Sequence, residues 1–309
     1  MSNSKTPSNL PLVRRGKKKL IVILGPTASG KTELAIKLAK KFGGEIVNAD
    51  SRAIYREMRV ATDRPGKNEC GVRHHLVGSL APYSDFSLAE YKKLAVDKID
   101  DILRRGKQPF LVGGTWLYIS AVVDNLEIPS VKPNKAWRKK QEKFKSETLH
   151  KKLQKLDPMA AKKIHPNDKR RIIRALEVIH FSGKPFSKQQ KKGAPIFDVL
   201  KIGIKRDLND VEERARKRIK TKMGEALIRE TRRLLKKYSP KLPSMSGLGY
   251  PEIGEYLGGK LSKEEAFELL AKNTRRFARY QINTFRQDKN TKWVKNFSEA
   301  SEKVRKFLR

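Results

Sequence analysis

The residues with the clearest chemical potential are Gly25-Pro26-Thr27-Ala28-Ser29-Gly30-Lys31-Thr32, which follow the pattern G-x-x-x-x-G-K-[ST]. Glycines at those positions let consecutive backbone N–H groups face a phosphate. The lysine adds a point charge, and the Thr32 hydroxyl can ligate Mg2+. The loop therefore reads as a diphosphate or triphosphate site, whether the phosphate belongs to ATP or to another pyrophosphate. Asp50, in Asn48-Ala49-Asp50-Ser51-Arg52-Ala53-Ile54-Tyr55, is the next carboxylate with a role to fill. It could hold Mg2+, directly or through water, or take a proton from a nucleophile attacking near the bound phosphates. It could also simply cap the segment that follows. Gly113-Gly114-Thr115 brings a hydroxyl and a flexible backbone to the same place.

These groups meet only if the elements around them form one sheet edge. Leu20 to Leu24 is a short apolar run expected to be a buried parallel strand, and Glu33 to Phe42 repeats apolar residues at helical spacing. Glu45 to Val47 and Phe110 to Val112 read as two more strands. Glu90 to Arg105 reads as a helix ending at Gly106. Strands alternating with helices predict an α/β fold with a parallel sheet flanked by helices and its ligand at the strand C-termini. Past Asn125 the strand runs stop and Lys-rich helical patterns take over, until Val199 to Ile204 looks like a strand again. We therefore expect a basic tail over residues 1–19, a core from 20–125 and 199–309 that includes C-terminal helices, and a helical basic insertion over 126–198.

The chain has 309 residues and a formal charge of +38, enough self-repulsion to point to a polyanionic partner. Residues 131–240 hold 34 of the 71 Lys and Arg against 12 acidic residues, so +22 of the charge lies in that stretch. No apolar stretch approaches the roughly 18 residues of a membrane span, and the first residues lack the apolar core of a secretory signal. The single Cys70 permits no internal disulfide and no Cys-based zinc site. Together these lead us to expect a cytoplasmic protein, acting as a monomer and away from membranes.

In combination the motifs closely resemble the tRNA dimethylallyltransferases, also called isopentenyl-tRNA transferases. The likeness rests on Gly25 to Thr32, Asp50-Ser51 with Ile54-Tyr55, Val112-Gly113-Gly114-Thr115 and Leu117-Tyr118. It continues through Leu156-Asp157-Pro158, Ile164-His165-Pro166-Asn167-Asp168, Arg174-Ala175-Leu176-Glu177-Val178, Gly249-Tyr250, Thr274-Arg275-Arg276, Gln281 and Arg286, and so covers nearly the whole chain after the tail. The resemblance implies transfer of a dimethylallyl group from dimethylallyl diphosphate to N6 of the tRNA adenosine just 3′ of the anticodon. By it, the phosphate loop holds the isoprenoid diphosphate, with Mg2+, rather than ATP. Asp50 matches the general base, and Thr27 matches a residue touching the oxygen that bridges carbon and phosphorus. Lys31 stabilises the departing diphosphate. Arg214 and Arg218, one helical turn apart, align with arginines reaching the diphosphate or the tRNA. The tRNA contacts implied are Asp50-Ser51-Arg52-Ala53, Thr115, Arg138, Arg170-Arg171-Ile172-Ile173-Arg174 in the insertion, Ser246-Gly247-Leu248-Gly249-Tyr250-Pro251, and Arg279-Tyr280-Gln281 with Arg286.

Several positions depart from the family pattern. Ala53 stands where Gln is frequent, Gly78 where Asp is common, and Ala61-Thr62-Asp63-Arg64-Pro65 replaces Gly-Thr-Ala-Lys-Pro. Arg279 to Arg286 also differs from the common Lys-Arg-Gln-x-Thr-Trp-x-Arg. A small-molecule kinase would share the loop and the sheet but would leave the charged insertion unexplained. An RNA-binding protein with a degenerate site would leave the intact Gly30-Lys31-Thr32 and Asp50 unexplained. His74-His75 lies in a family-like segment and receives no role.

Overall fold

The computed structural model describes residues 18–189 and 191–309. Most of the tail expected over 1–19 lies outside them. Lys19, counted in that tail, opens the first strand, and its ammonium donates to the Phe307 carbonyl at 2.7 Å.

The elements run β1 (Lys19–Leu24), α1 (Lys31–Lys41), β2 (Gly44–Asn48), β3 (Asn68–Glu69), β4 (Val72–His75), α2 (Leu88–Arg104), β5 (Gln108–Gly113) and α3 (Trp116–Val123). Helices α4 (Lys135–Gln141), α5 (Ser146–Leu156), α6 (Pro158–Lys163) and α7 (Lys169–Ser182) follow. The chain then returns as β6 (Asp198–Ile204), α8 (Leu208–Arg218), α9 (Gly224–Lys237), α10 (Tyr250–Leu257), α11 (Lys263–Arg286), β7 (Lys292–Val294) and α12 (Phe297–Leu308).

Among the described residues, seven strands form one sheet in the order β3-β4-β2-β5-β1-β6-β7, parallel except for the β3–β4 pair. Its two central strands are apolar from Leu20 to Leu24 and from Pro109 to Gly113 because both faces are covered there. Leu20, Val22 and Leu24 of β1 pack with Tyr91, Ile99 and Ile102 of α2 on one face. Ile21 and Ile23 pack with Leu38 of α1 and Val304 of α12 on the other. Helix α2 begins with a capping box between Ser87 and Glu90 and stops before Gly106, whose φ of +71° suits glycine.

Two helical clusters stand beside the sheet. Leu149, Leu153, Ile172, Ile173 and Leu176 form the core of α5–α7. The two chain segments connecting these helices to the sheet pair with each other through the Leu126–Lys192 bridge, and Glu127 N donates to Lys191 O at 2.8 Å. The second cluster joins Ile54, Tyr55 and Met58 to α9, α10 and the first half of α11. The sequence reading folds this cluster into the core without separating it. Between α8 and α9, residues Ile219–Met223 form a π-helical turn.

Candidate active site

Parallel pairing fixes where the chemistry gathers. Leu24 is level with Gly113, and Asn48 with Val112, so the turns leaving β1, β2 and β5 open on one edge. Gly113 is required there, because a Cβ at that position would stand 2.1 Å from the Ala49 carbonyl oxygen. The edge forms the floor of a cleft of about 840 Å3, lined by the phosphate loop, Asp50 to Ala53 and Thr115. Its remaining walls come from the loop at 61–65, from Lys163, Arg171 and Arg174 of the α5–α7 cluster, from Ser246 to Leu248, and from Phe277, Tyr280 and Gln281 of α11.

The phosphate loop turns through Ala28 at φ +58° and Gly30 at φ +88°, and no side chain caps the start of α1. The first N–H groups of that helix are thus left for an anion. Arginines brace the loop from outside: Arg214 Nε donates to Ala28 O at 3.0 Å and Arg206 Nε to Ser29 O at 3.3 Å. Lys31 Nζ donates to Pro26 O at 3.3 Å. Burial lowers its pKa from the usual lysine value, Arg218 adds to that, and Asp50 and Asp63 oppose it. A dianionic phosphate would supply the counter-charge this ammonium lacks.

Asp50 Oδ1 accepts from Arg52 N at 2.8 Å and from Ala53 N at 3.4 Å, which orients the carboxylate. Its Oδ2 has no hydrogen bond among the described residues. Asn48 supports it from behind, accepting from Asp50 N at 3.1 Å and donating to the Asp50 and Leu76 carbonyls. Ser51 N donates to Thr115 Oγ1 at 3.1 Å. The Thr32 hydroxyl and the Asp50 carboxylate are hard oxygen donors, and no group of three His, Cys, Asp or Glu forms a metal cage among the described residues. Such a set fits Mg2+, which binds through one or two protein oxygens and takes the rest from phosphate and water.

The remaining candidates divide by where their side chains go. Arg218 lines the cleft and pairs with Asp63 at 2.7 Å. Arg214 braces the loop instead of lining the cleft. Arg52 donates to Pro243 O and, at 2.9 Å, to Ser246 Oγ. Its pKa is lowered by burial, with Arg170 adding to the effect. Arg138 and Arg174 both turn onto Glu177, whose side chain is fully buried. Ile172 and Ile173 lie on the buried stripe of α7, so contact with a ligand at this segment falls to its arginines. Gln281 lines the cleft and also braces it: it accepts from Thr27 N at 2.9 Å and donates to Gly114 O at 2.8 Å. Tyr250 is buried and donates to Glu230 at 2.8 Å, whereas Pro251 is exposed. Gly249 takes φ +101° just before α10. Arg279 is exposed outside the cleft lining, and Arg286 borders a separate depression with Ile204 and Trp293.

Sequence reasoning gave no role to Asp63, Arg206, Glu177 or Glu230: Asp63, Arg206 and Glu230 are defined by partners far along the chain, and Glu177 gathers Arg138 as well as its neighbour Arg174. Glu230 accepts from Arg59 N at 2.9 Å, Val60 N at 3.0 Å and Ala61 N at 3.3 Å, fixing the loop opposite the phosphate site. Of the histidines left without a role, His75 meets buried Glu45 at 2.7 Å, and His74 lines the cleft.

Comparison with known proteins follows the same outline. A family model described as IPP transferase matches residues 53–288, and one described as Isopentenyl transferase matches residues 18–76. A tRNA dimethylallyltransferase of Pelotomaculum thermopropionicum is 41% identical over 302 residues, covering 95% of this chain and 96% of that protein. One from Geobacter sulfurreducens is 42% identical over 304 residues, covering 94% and 97%. Among solved structures, the tRNA isopentenylpyrophosphate transferase of Bacillus halodurans superposes with a TM-score of 0.70 at 34% identity, covering 94% of this chain and 96% of the other. A eukaryotic dimethylallyltransferase acting on tRNA gives 0.74 at 28% identity, over 86% of this chain and 69% of its own. No helix among the described residues is long and apolar enough to cross a membrane.

Proposed function

This chain belongs to the tRNA dimethylallyltransferase family and is a transferase that moves a prenyl group to tRNA, and from that premise we propose the chemistry of its cleft. The donor is dimethylallyl diphosphate, and the acceptor is N6 of the adenosine on the 3′ side of the anticodon. The observation that carries this reading is the meeting, in one cleft, of an uncapped phosphate loop, the oriented Asp50 carboxylate and cations from the helical insertion.

The phosphate-loop N–H groups, Lys31 and Arg218 bind the diphosphate and stabilise the charge that grows on it as the allylic C–O bond breaks. Thr27 lies beside the bridging oxygen, with Gln281 accepting from its N–H. Thr32, together with the diphosphate, would hold Mg2+, which neutralises the leaving group when bound. As N6 bonds to the allylic carbon, its proton passes to Asp50 Oδ2, the oxygen not spent on the backbone. Diphosphate leaves with the electron pair of the broken bond. A target base inside the anticodon loop must be unstacked to reach this depth. The insertion, the segment at 246–251 and α11 would hold the anticodon stem-loop, with Arg52, Thr115 and Arg171 nearest the flipped base. The protein then works as a cytoplasmic monomer.

The test is incubation of the full chain with Mg2+, labelled dimethylallyl diphosphate and unmodified tRNA bearing adenosine at that position. Label is expected in that adenosine alone, and none when guanosine replaces it. Label elsewhere, or none with the adenosine present, would refute the assignment.

A further inference from the structure

We propose that Asp63 tunes the hold of the cleft on diphosphate: by pairing with Arg218 it competes with the diphosphate for that guanidinium, weakening binding and easing release of the inorganic product. The inference rests on reading the phosphate loop as a diphosphate site.

The pair is lopsided. Asp63 Oδ2 lies 2.7 Å from Arg218 Nη1, but the aspartate side chain is 73% exposed and the arginine only 25%. The guanidinium is therefore a fixed part of the wall, and the carboxylate is its wet, exchangeable partner. Arg218 also has donor capacity to spare, since its Nε is buried with no partner among the described residues. It ends α8 just ahead of the π-helical turn, a kind of irregularity that recurs at functional sites.

Asp63 is delivered from a firm platform. Glu230 holds the N–H groups of residues 59–61, Asp63 N donates to Val60 O at 3.1 Å, and Thr62 Oγ1 donates to Met58 O at 2.6 Å. Asp63 itself takes φ +48°, a conformation that costs energy for a non-glycine residue and that Asp tolerates better than most. Both members of the pair line the cleft with Lys31, Thr32 and Asp50. Burial is the main influence lowering the Lys31 pKa, and both Asp50 and Asp63 pull it back up, so the two carboxylates and two cations act on one another. A diphosphate that takes Arg218 Nη1 must displace Asp63, and at Lys31 it meets the field of the same carboxylate.

The test needs neither tRNA nor prenyl donor. Inorganic pyrophosphate is titrated into the full chain by calorimetry at one low ionic strength, with and without Mg2+. The proteins compared are the wild type, Asp63→Asn, Asp63→Glu, Arg218→Met and the Asp63→Asn/Arg218→Met double variant. Asp63→Asn should tighten binding about fivefold, the upper range for an ion pair with one exposed partner. Asp63→Glu should stay near wild type, and the gain should vanish when Arg218 is absent. Unchanged or weaker binding in Asp63→Asn would overturn the proposal, and weakening confined to Mg2+ would make Asp63 a metal ligand instead. A gain that persists without Arg218 would overturn it too, by assigning the effect to general charge. If the wild type binds no pyrophosphate, the diphosphate reading itself fails, an outcome visible before any variant is compared.

Discussion

The sheet edge and the α5–α7 insertion face each other across one cleft and are built on opposite plans. At the edge, parallel register and glycine at close approach set where the phosphate loop, Asp50 and Thr115 stand: Leu24 beside Gly113, and Gly113 against Ala49. In the insertion the work falls to side chains, and much of their charge is already spent. Arg138 and Arg174 share Glu177, and Arg171 reaches Asp168 at 3.2 Å. Formal charge is therefore a poor guide to which cations meet a ligand: the two arginines of α7 that line the cleft, Arg171 and Arg174, already have carboxylate partners.

The contrast is broken hardest at Asp50. Asp50→Asn keeps an acceptor for Arg52 N and Ala53 N but loses the base, so kcat for prenyl transfer should fall about 10^3-fold. Affinity for tRNA should hardly change, because the shape of the turn survives. Single-turnover transfer beside a filter-binding titration reads both, and near-normal turnover would remove Asp50 as the base. Next in size is Gly113→Ala. Its new methyl would collide with the Ala49 carbonyl, a backbone atom that cannot step aside, so a loss of about 3 kcal/mol is expected in urea unfolding. The same change at Gly43, where nothing lies within 4 Å of an added Cβ, should cost far less and only through its φ of +62°.

The two plans also explain what the sequence made visible. The sheet edge was legible because its function needs contiguous residue types: a phosphate loop between a strand and a helix can hardly be anything else, and Leu20 to Leu24 announces a strand buried on both faces. The α/β class and the strands at 110–112 and 199–204 follow from the same periodicity. In the insertion and the α9–α11 cluster the sequence showed charge, helical pattern and scattered family motifs, but not which side chains meet. Ion pairs such as Arg218–Asp63, 155 residues apart, or Glu230 closing on residues 59–61, leave no local trace. Gln281 shows the same limit from the other side. Its family motif is plain, yet nothing in it tells a strut under the phosphate loop from an RNA contact.

Each region also keeps a caged carboxylate, which sharpens the comparison. Hydrogen bonds from Arg105, and then Lys107 and His75, hold Glu45 far below the ordinary carboxylate range. Burial pushes Glu177 upward, but Arg138, the Asn134 N–H and Arg174 outweigh it and leave its pKa lowered. A carboxylate with a depressed folded pKa adds stability that is complete above its unfolded value of about 4.3 and is lost as pH falls through the folded value. Glu177→Gln should thus cost about 2–3 kcal/mol at neutral pH, because two partly buried arginines lose their counter-charge. The gap from wild type should close as pH drops below about 4. A gap that stayed constant with pH would mean that Glu177 matters for its shape and not for its charge.

The smallest effect bears most directly on which cations are free. Arg170 is exposed, has no ion-pair partner among the described residues, and presses its charge on Arg52. Arg174, one turn further along α7, faces the cleft but is tied to Glu177 and to Val131 O. A cation that trades water and salt for a phosphate releases counterions, whereas one already neutralised by a carboxylate releases few. Arg170→Gln should therefore flatten the log-log salt dependence of anticodon stem-loop binding by about 0.7–0.9, the share of one phosphate contact. Arg174→Gln should flatten it less, while costing more stability by unbalancing Glu177. Anisotropy titrations across a KCl series distinguish the two. If Arg174→Gln changed the slope as much as Arg170→Gln, Glu177 would have to release that arginine when RNA arrives, and the insertion would hold its charge in reserve instead of spending it internally.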